Sequence, residues 1–251
     1  MNNTKNRLDH LCEIIMGQAP KGEAYNFEGK GWRLIAGAGD FGEIYPQAKK
    51  YTTEASKLSQ DGDIILGIRA SIGDKVLSDG EYCLGRGVAC LRPRSELNIR
   101  YLWHWLDNIK SELSSKSQGA TFKQVNREDI CDLYISPPPI DRQKRIAAIL
   151  DKAEELRRLR RQSIEHLDVL SRSIFIEMFG DPVTNPKGWD RVMFSDLLLK
   201  IESGHSPNCL DRPVIEDIEA IESLKAKHRE SLTHLDTLFA SLQHRAFRGE
   251  L

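Results

Sequence analysis

Several short segments combine basic, amide or hydroxyl side chains with nearby glycines, a composition that suits the binding of phosphate. Glycine lets a backbone approach an anion closely, lysine and arginine neutralise it, and arginine or glutamine can bond to base edges. Each segment taken alone also resembles an ordinary solvated loop. Arg69, Arg86 and Gln118 are the expected base readers. The full set of candidate contacts is Lys21, Lys49, Lys50, Arg69, Ser71, Lys75, Arg86, Lys116, Gln118, Thr121 and Lys123.

No known catalytic motif is present in the sequence. It lacks the G-x-x-x-x-G-K, H-E-x-x-H and G-x-S-x-G patterns. Asp61 and Asp63 could be paired carboxylates, but Asp-Gly-Asp before an apolar run is typical of a turn that enters a strand. His205 and Cys209 have a ligand-like spacing without a second pair. We therefore expect a chain that is not an enzyme and holds no metal or cofactor of its own.

The composition is that of a globular protein, with 251 residues, 40% hydrophobic and 29% charged. Its net charge of −1 means that any basic face must be local, since DNA-binding domains usually have a basic excess. The five scattered cysteines argue against a disulfide framework or a zinc module. No apolar run approaches the roughly 20 residues of a membrane span. We expect a cytoplasmic protein without membrane contact.

The first part of the chain has the pattern of an α+β domain. Short β-prone runs, separated by Gly, Asp and Ser turns, lie at residues 32–36, 63–69, 71–77 and 87–92. One helix is predicted from Asn98 to about Leu113. The proline-rich stretch 136–139 then breaks the chain. We expect a domain over residues 1–139.

Two long helices are predicted after this domain. Residues 140–179 contain neither Pro nor Gly and have apolar positions at helical spacing, and Gly180-Asp181-Pro182 ends the segment. A second helical pattern begins after Pro213 and runs to about Arg248. The expected divisions are a first helix at 140–180, a linking segment at 181–213 and a second helix at 214–251.

The two helices contain an internal repeat. Residues 161–170 (RQSIEHLDVL) recur at 229–238 (RESLTHLDTL), at an offset of 68. A fainter repeat relates residues 11–20 to 198–207, at an offset of 187. If both repeats copy one module, the second copy lacks the difference between the offsets, about 119 residues. The sequence therefore indicates one full module and a second without its middle.

Apolar residues three and four positions apart predict a coiled-coil seam on both helices. Arg160 and His228 interrupt it at equivalent places, which indicates either a loose stretch of bundle or a register marker kept for another subunit. His166 and His234 are more typical of surface hydrogen bonding than of a metal site. The residues expected to form a subunit interface are Leu156, Leu167, Leu170, Ile174, Leu224, Leu235, Leu238 and Leu242.

The boundary of the first helix resembles a conserved region of the DNA-specificity subunits of type I restriction-modification systems. The prolines of 136–139 lead into residues 142–146 (RQKRI), and the long helix ends with residues 173–182 (SIFIEMFGDP). Residues 238–251 resemble that family's distal conserved region. These features occur in the family's order, so the resemblance covers essentially the whole chain.

The resemblance implies a non-catalytic reader of double-stranded DNA. Residues 1–139 would be a target-recognition domain, the two long helices an antiparallel coiled coil, and 181–213 the remnant of a second recognition domain. The helices would dock methyltransferase subunits, which carry S-adenosylmethionine, and the complex would recruit a restriction subunit. A form with one recognition domain, here called the head (residues 1–139), would form a homodimer and recognise a split palindromic sequence.

A different class of function stays open from the residues alone. The chain could be a coiled-coil adaptor whose head binds a protein and never DNA. Binding to duplex DNA that weakens with added salt would distinguish a DNA-specificity subunit from such an adaptor, because phosphate contacts release counterions.

Overall fold

The computed structural model describes residues 5–117, 124–190 and 215–251, with side chains of the last segment described from residue 220. They fall into two compact units, Met1–Lys152 with Phe239–Leu251, and Ala153–Leu238. In chain order the elements are β1 (Asn6–Arg7), α1 (Leu8–Leu11), β2 (Cys12–Met16), β3 (Tyr25–Asn26), β4 (Trp32–Ile35), β5 (Lys50–Thr52), β6 (Ile64–Gly67), β7 (Lys75–Leu77), β8 (Tyr82–Leu84), β9 (Val88–Pro93), α2 (Ile99–Asn108), α3 (Lys110–Ser115), α4 (Arg127–Cys131), β10 (Tyr134–Ile135), α5 (Ile140–Phe179) and α6 (Ile215–Phe247). This order confirms the α+β class with two long helices.

Two four-stranded sheets form the centre of the first unit. One has the antiparallel order β2-β9-β6-β7, and the other has the order β3-β5-β4-β8, in which β4 and β8 are parallel. β6 is buried along its whole length. Ile35, Ile65, Val76, Tyr82 and Leu84 form a buried cluster that joins residues of both sheets.

The helix predicted from Asn98 to Leu113 is two helices. Asn98 caps α2, because its side-chain oxygen accepts from the backbone N–H groups of Arg100 and Tyr101, both at 3.0 Å. Ile109 leaves helical geometry at φ −101° and ψ 6°, and α3 follows it. Both Ile109 and Leu113 are buried. The break at Ile109 accompanies the burial of these two side chains, which sequence periodicity did not reveal.

A buried glutamine fixes the start of α5. The Gln143 side chain accepts from the Asn98 backbone N–H at 2.8 Å and donates to the carbonyls of Glu96 and Pro138 at 2.9 and 2.8 Å. About two helical turns further along α5, Asp151 accepts from Arg100 and contacts His104 Nε2 at 2.7 Å. These polar contacts hold the first turns of α5 against α2.

The last turns of α6 belong to the same unit. Phe247 packs edge-on against Tyr101 with ring centroids 5.4 Å apart. Phe239 lies 6.2 Å from the His104 ring. Arg142 donates to the carbonyls of Gly249 and Leu251 at 2.8 and 2.6 Å. The first unit is therefore completed by the end of the second long helix.

In the second unit α5 and α6 run antiparallel. Arg157 pairs with Asp236, and Lys225 pairs with Asp168 at 2.7 Å. The residue numbers of the paired positions therefore increase along α5 and decrease along α6. Both pairs consist of the same two repeat positions, because Arg157 corresponds to Lys225 and Asp168 to Asp236 at the offset of 68. The repeat thus forms an internal twofold arrangement.

The seam between these helices differs from the predicted one. The partly buried positions of α5 include 153, 157, 160, 164, 167, 171, 174 and 178, and the repeat equivalents of these positions on α6 are also partly or fully buried. Leu167, Ile174, Leu235 and Leu242 hold such positions. Four other leucines are 43–52% exposed, namely Leu156, Leu170, Leu224 and Leu238. Arg157 and Lys225, each in an ion pair, occupy the seam positions that the sequence pattern assigned to Leu156 and Leu224, and their aliphatic stems pack there.

None of the described helices is long and apolar enough to cross a membrane.

Candidate nucleic-acid interface

A glycine-lined cleft brings together three of the candidate contact residues. Its volume is about 380 Å³, and its walls include Arg69, Ser71 and Arg86. The remaining lining is small or apolar, and it comes from Ala19, Tyr25, Leu34, Ala36, Gly37, Ala38, Gly67, Ala70, Gly85 and Gly87. Segments that are far apart in sequence therefore present arginine, hydroxyl and exposed backbone to one space.

The glycines are required because backbones approach each other closely here. Gly85 and Gly87 donate to the carbonyls of Ile35 and Ala36 at 2.8 and 3.1 Å. A Cβ on Gly87 would lie 2.2 Å from the Ala36 oxygen. Gly37, by contrast, has nothing within 4 Å of a built Cβ. Backbone packing is therefore tight at Gly87, and there is open space at Gly37.

Arg69 carries unused hydrogen-bonding capacity. Its Nε is buried and has no hydrogen-bond partner among the residues that the structure describes. A buried donor without a partner costs roughly 1–3 kcal/mol. Arg86, which also lines the cleft, is exposed. An anionic acceptor entering the cleft would meet the charges of Arg69 and Arg86, which both line it.

The strand register extends this surface across the second sheet. Leu34, which lines the cleft, lies opposite Lys50, while Trp32 lies opposite Thr52, which in turn lies opposite Tyr25. Directly opposed side chains share a face of a sheet, and alternate residues of a strand share it too. Lys50, Trp32 and Tyr25 are therefore on the same face as the cleft. Lys50 is exposed, and the two aromatic side chains are about one-third exposed or more.

Other candidates are placed at various distances from this face. Lys49 is exposed beside Lys50, and Lys21 is exposed just before the turn at Gly22–Ala24. Lys116 donates to the Asp132 carbonyl at 3.2 Å, next to β10. Gln118, Thr121 and Lys123 lie outside the described residues.

Lys75 requires a correction. Its side chain is only 5% exposed, and the ammonium pairs with Asp107 and lies 4.3 Å from the centre of the Trp103 ring. A lysine held in this way has a carboxylate and an aromatic face as partners instead of solvent. We therefore do not assign Lys75 to the DNA-facing surface.

Sequence reasoning missed Tyr25, Trp32 and Gly37. The strands of Tyr25 and Trp32 are two and four residues long, too short for alternation to be recognised, and Gly37 lies just after the second of them. The available signal was a run of aromatic residues within a polar, glycine-rich stretch between residues 25 and 32.

The carboxylate pair of the sequence forms a turn, as predicted. Asp63 is 3% exposed and accepts from the Gln60 backbone N–H at 2.7 Å and from Arg92 at 2.8 and 2.9 Å. Asp61 is exposed. Burial raises the pKa of Cys12 to about 12 and that of Cys83 to about 11, which disfavours thiolate formation at neutral pH.

Residues 2–168 match the family model described as the type I restriction modification DNA specificity domain. The chain belongs to this family. The putative type I restriction enzyme MjaX specificity subunit of Methanocaldococcus jannaschii is 32% identical over 163 residues, which cover 64% of this chain and 38% of that protein. The EcoR124I/EcoR124II specificity subunit of Escherichia coli is 25% identical over 123 residues, covering 47% and 30%.

Solved structures of the family share the fold. The HsdS subunit from Thermoanaerobacter tengcongensis matches with a TM-score of 0.55 and 24% identity, over 99% of this chain and 45% of that one. The S subunit of a type I system from M. genitalium matches with a TM-score of 0.51 and 20% identity, over 72% and 46%. The matches to these four relatives thus span less than half of each relative's length.

Proposed function

We propose that this specificity-family chain is a non-catalytic subunit that reads a DNA sequence in the cytoplasm for a type I restriction-modification complex. The observation that carries the proposal is the convergence of Arg69, Ser71 and Arg86 in one glycine-lined cleft. Phosphate binding needs close backbone approach and positive charge, and base reading needs planar donors. The cleft offers all three.

Two DNA-contact roles follow from exposure. Lys50 lies on the cleft face and Lys49 is exposed beside it, and both are suited to phosphate contacts. Arg69 and Arg86 line the cleft itself and are suited to bidentate bonds with a base edge. Phosphate contacts set affinity and its salt dependence, whereas base contacts set sequence preference.

A second copy of the chain supplies a second head in this proposal. Leu156 and Leu170 are four helical turns apart on α5, and Leu224 and Leu238 are their repeat equivalents on α6. A twofold axis perpendicular to the helix pair keeps equivalent residues on one side of it. This side carries four exposed leucines, which suits burial against another subunit. Two heads related in this way would read a split palindrome.

The same complex includes further proteins in this proposal. Methyltransferase subunits, which supply S-adenosylmethionine, would dock on the helices, and a restriction subunit would join them. The chain itself contributes specificity.

DNA binding is tested by selecting duplexes from a random library and measuring affinity by fluorescence anisotropy at several salt concentrations. Lys50→Ala should reduce the salt dependence by about one released counterion without changing sequence preference. Arg86→Ala should lose about 1–3 kcal/mol and relax the preference at one base pair. Lys144→Ala removes an exposed charge from α5 and serves as the control. A chain that binds no duplex at low salt would favour the adaptor function.

Assembly is tested by sedimentation of the full chain. Leu156→Glu with Leu224→Glu should convert a dimer to a monomer, because the substitutions place charge in an apolar contact. Val183→Glu, at a position that is 81% exposed beyond the end of α5, should leave the dimer intact. A wild-type monomer at micromolar concentration, with and without DNA, would reject the homodimer.

A further inference from the structure

The loop between β3 and β4 holds an aromatic side chain in solvent. Phe27 is 75% exposed. The Asn26 side-chain oxygen accepts from the backbone N–H groups of Glu28 and Lys30 at 3.2 and 3.0 Å, while its amide donates to the Lys30 carbonyl at 2.9 Å. Three hydrogen bonds from one side chain thus fix the shape of this short loop.

Backbone packing holds the loop against the neighbouring strand. Gly29 and Gly31 have φ of 79° and 82°, a left-handed conformation that other residues rarely adopt. A Cβ on Gly31 would lie 2.1 Å from the Thr52 carbonyl oxygen, so only glycine allows this contact with the end of β5. The exposure of Phe27 is therefore a property of an ordered loop.

Phe27 lies beside a positive charge of the cleft face. The Lys50 ammonium is 5.8 Å from the centre of the Phe27 ring. Lys49 adds a second exposed charge, whereas Lys30 is neutralised by Glu28 at 2.5 Å. The ring thus stands next to Lys50, to which the proposed function assigns a phosphate contact.

Duplex DNA is the ligand class that matches this combination. It offers apolar base faces a few ångströms from a line of negative phosphates, and inserted phenylalanine side chains can partially unstack base steps. Lys50 would fix the phosphate and orient the ring toward the adjacent bases. A protein partner would need an apolar pocket beside an acidic strip to fit the same features.

We propose that Phe27 is an apolar wedge that stacks on a base or enters a base step of the bound duplex. This inference rests on the proposed DNA-binding function. It adds a contact that depends on ring area and not on charge, and that reads how easily a step unstacks. The step would lie beside the bases that face Arg69 and Arg86.

Two measurements on the full chain test the wedge, with a duplex recovered by selection as the probe. Phe27→Ala should weaken binding about tenfold while leaving the salt dependence unchanged. Phe27→Trp should retain affinity, since it keeps a stacking surface. With wild-type protein, a thymine at the unstacked step should become reactive to permanganate, and a 2-aminopurine placed there should become fluorescent. Neither change should occur with Phe27→Ala.

Tyr134→Ala is the matched control, because Tyr134 is 55% exposed and belongs to the separate β1–β10 sheet. It should behave as wild type in both assays. Affinity of Phe27→Ala within about twofold of wild type, with an unchanged probe signal, would overturn the wedge. That result leaves DNA reading intact, whereas failure of the wild-type chain to bind any duplex rejects the proposed function itself.

Discussion

Arg160 and His228 are hydrogen-bonded to each other, although they are the same position of the repeat. Arg160 Nη1 lies 2.8 Å from His228 Nδ1 across the helix pair. Arginine has only donors, so His228 accepts through Nδ1 and carries its proton on Nε2. The Arg157–Asp236 and Lys225–Asp168 pairs lie on either side. The polar interruption noticed in the sequence is therefore the centre of the internal twofold arrangement.

Replacing His228 with arginine should destabilise the helix pair. His228→Arg removes the acceptor of Arg160 and places a like charge against it, so we expect a loss of about 1–2 kcal/mol. Denaturant unfolding followed by circular dichroism measures the change. His234→Arg alters an exposed histidine of the same helix and should have little effect.

The double variant Arg160→Leu with His228→Leu shows whether the polar pair serves stability. Apolar replacement of a buried polar pair is often neutral or stabilising, and we expect the double variant to be at least as stable as wild type. A large loss in the double variant would show that the pair itself stabilises the helices.

Asp151 should make the first unit sensitive to acid. Burial alone would raise the pKa of Asp151, but hydrogen bonds from His104 and Arg100 lower it below the ordinary value of 3.8. A lowered carboxyl pKa contributes stability above the ordinary value, and the contribution is lost as pH falls through the folded-state value. Asp151→Asn should cost roughly 2 kcal/mol at neutral pH.

Unfolding free energies from pH 7 down to about 3 check this assignment. The difference between wild type and Asp151→Asn should shrink as the pH falls. A difference that stays constant with pH would show that packing, and not ionisation, accounts for the effect of the substitution.

Two glycines of the cleft should respond differently to a methyl group. Gly87→Ala would force a Cβ against the Ala36 carbonyl and should cost about 1–3 kcal/mol through backbone displacement. Gly37→Ala meets open space in an extended backbone and should leave the melting temperature unchanged. Equal melting temperatures for the two variants would contradict the close packing at Gly87.

Asp63 should be important for folding. Asp63→Ala leaves Arg92 without its main partner and frees the turn before β6, so a loss of about 3–5 kcal/mol is expected. Asp61→Ala, two residues earlier and exposed, should be neutral. Thermal denaturation of both variants gives the comparison, and a neutral Asp63→Ala would show that the turn forms without the carboxylate.

The long helices were predictable because their signals are local and repeated. Residues 140–179 lack Pro and Gly and are followed by Gly180, and α5 spans Ile140–Phe179. The residues of the seam were harder to predict from the sequence, because both Leu156 and Arg157 fit a spacing of three and four residues. Only the pairing of Arg157 with Asp236 shows which one faces the other helix.

The cleft was predictable in part. Arg69, Ser71 and Arg86 could be chosen from their glycine neighbours, but their convergence depends on the antiparallel pairing of β6 with β9, which is a long-range contact. Lys75 has the same local pattern and is buried, because Asp107 comes from α2. Charge partners distant in sequence decide such cases, and residue patterns do not contain them.

The unequal residues at the centre of the repeat have a consequence during synthesis. The ribosome releases α5 before α6, so neighbouring nascent chains on one messenger can offer each other two copies of α5. Such a pair would set Arg160 against Arg160, and like charges would meet where the finished chain has a hydrogen bond. Because α6 has His228 at the equivalent position, pairing of α5 with α6 of the same chain is favoured over pairing of two α5 helices.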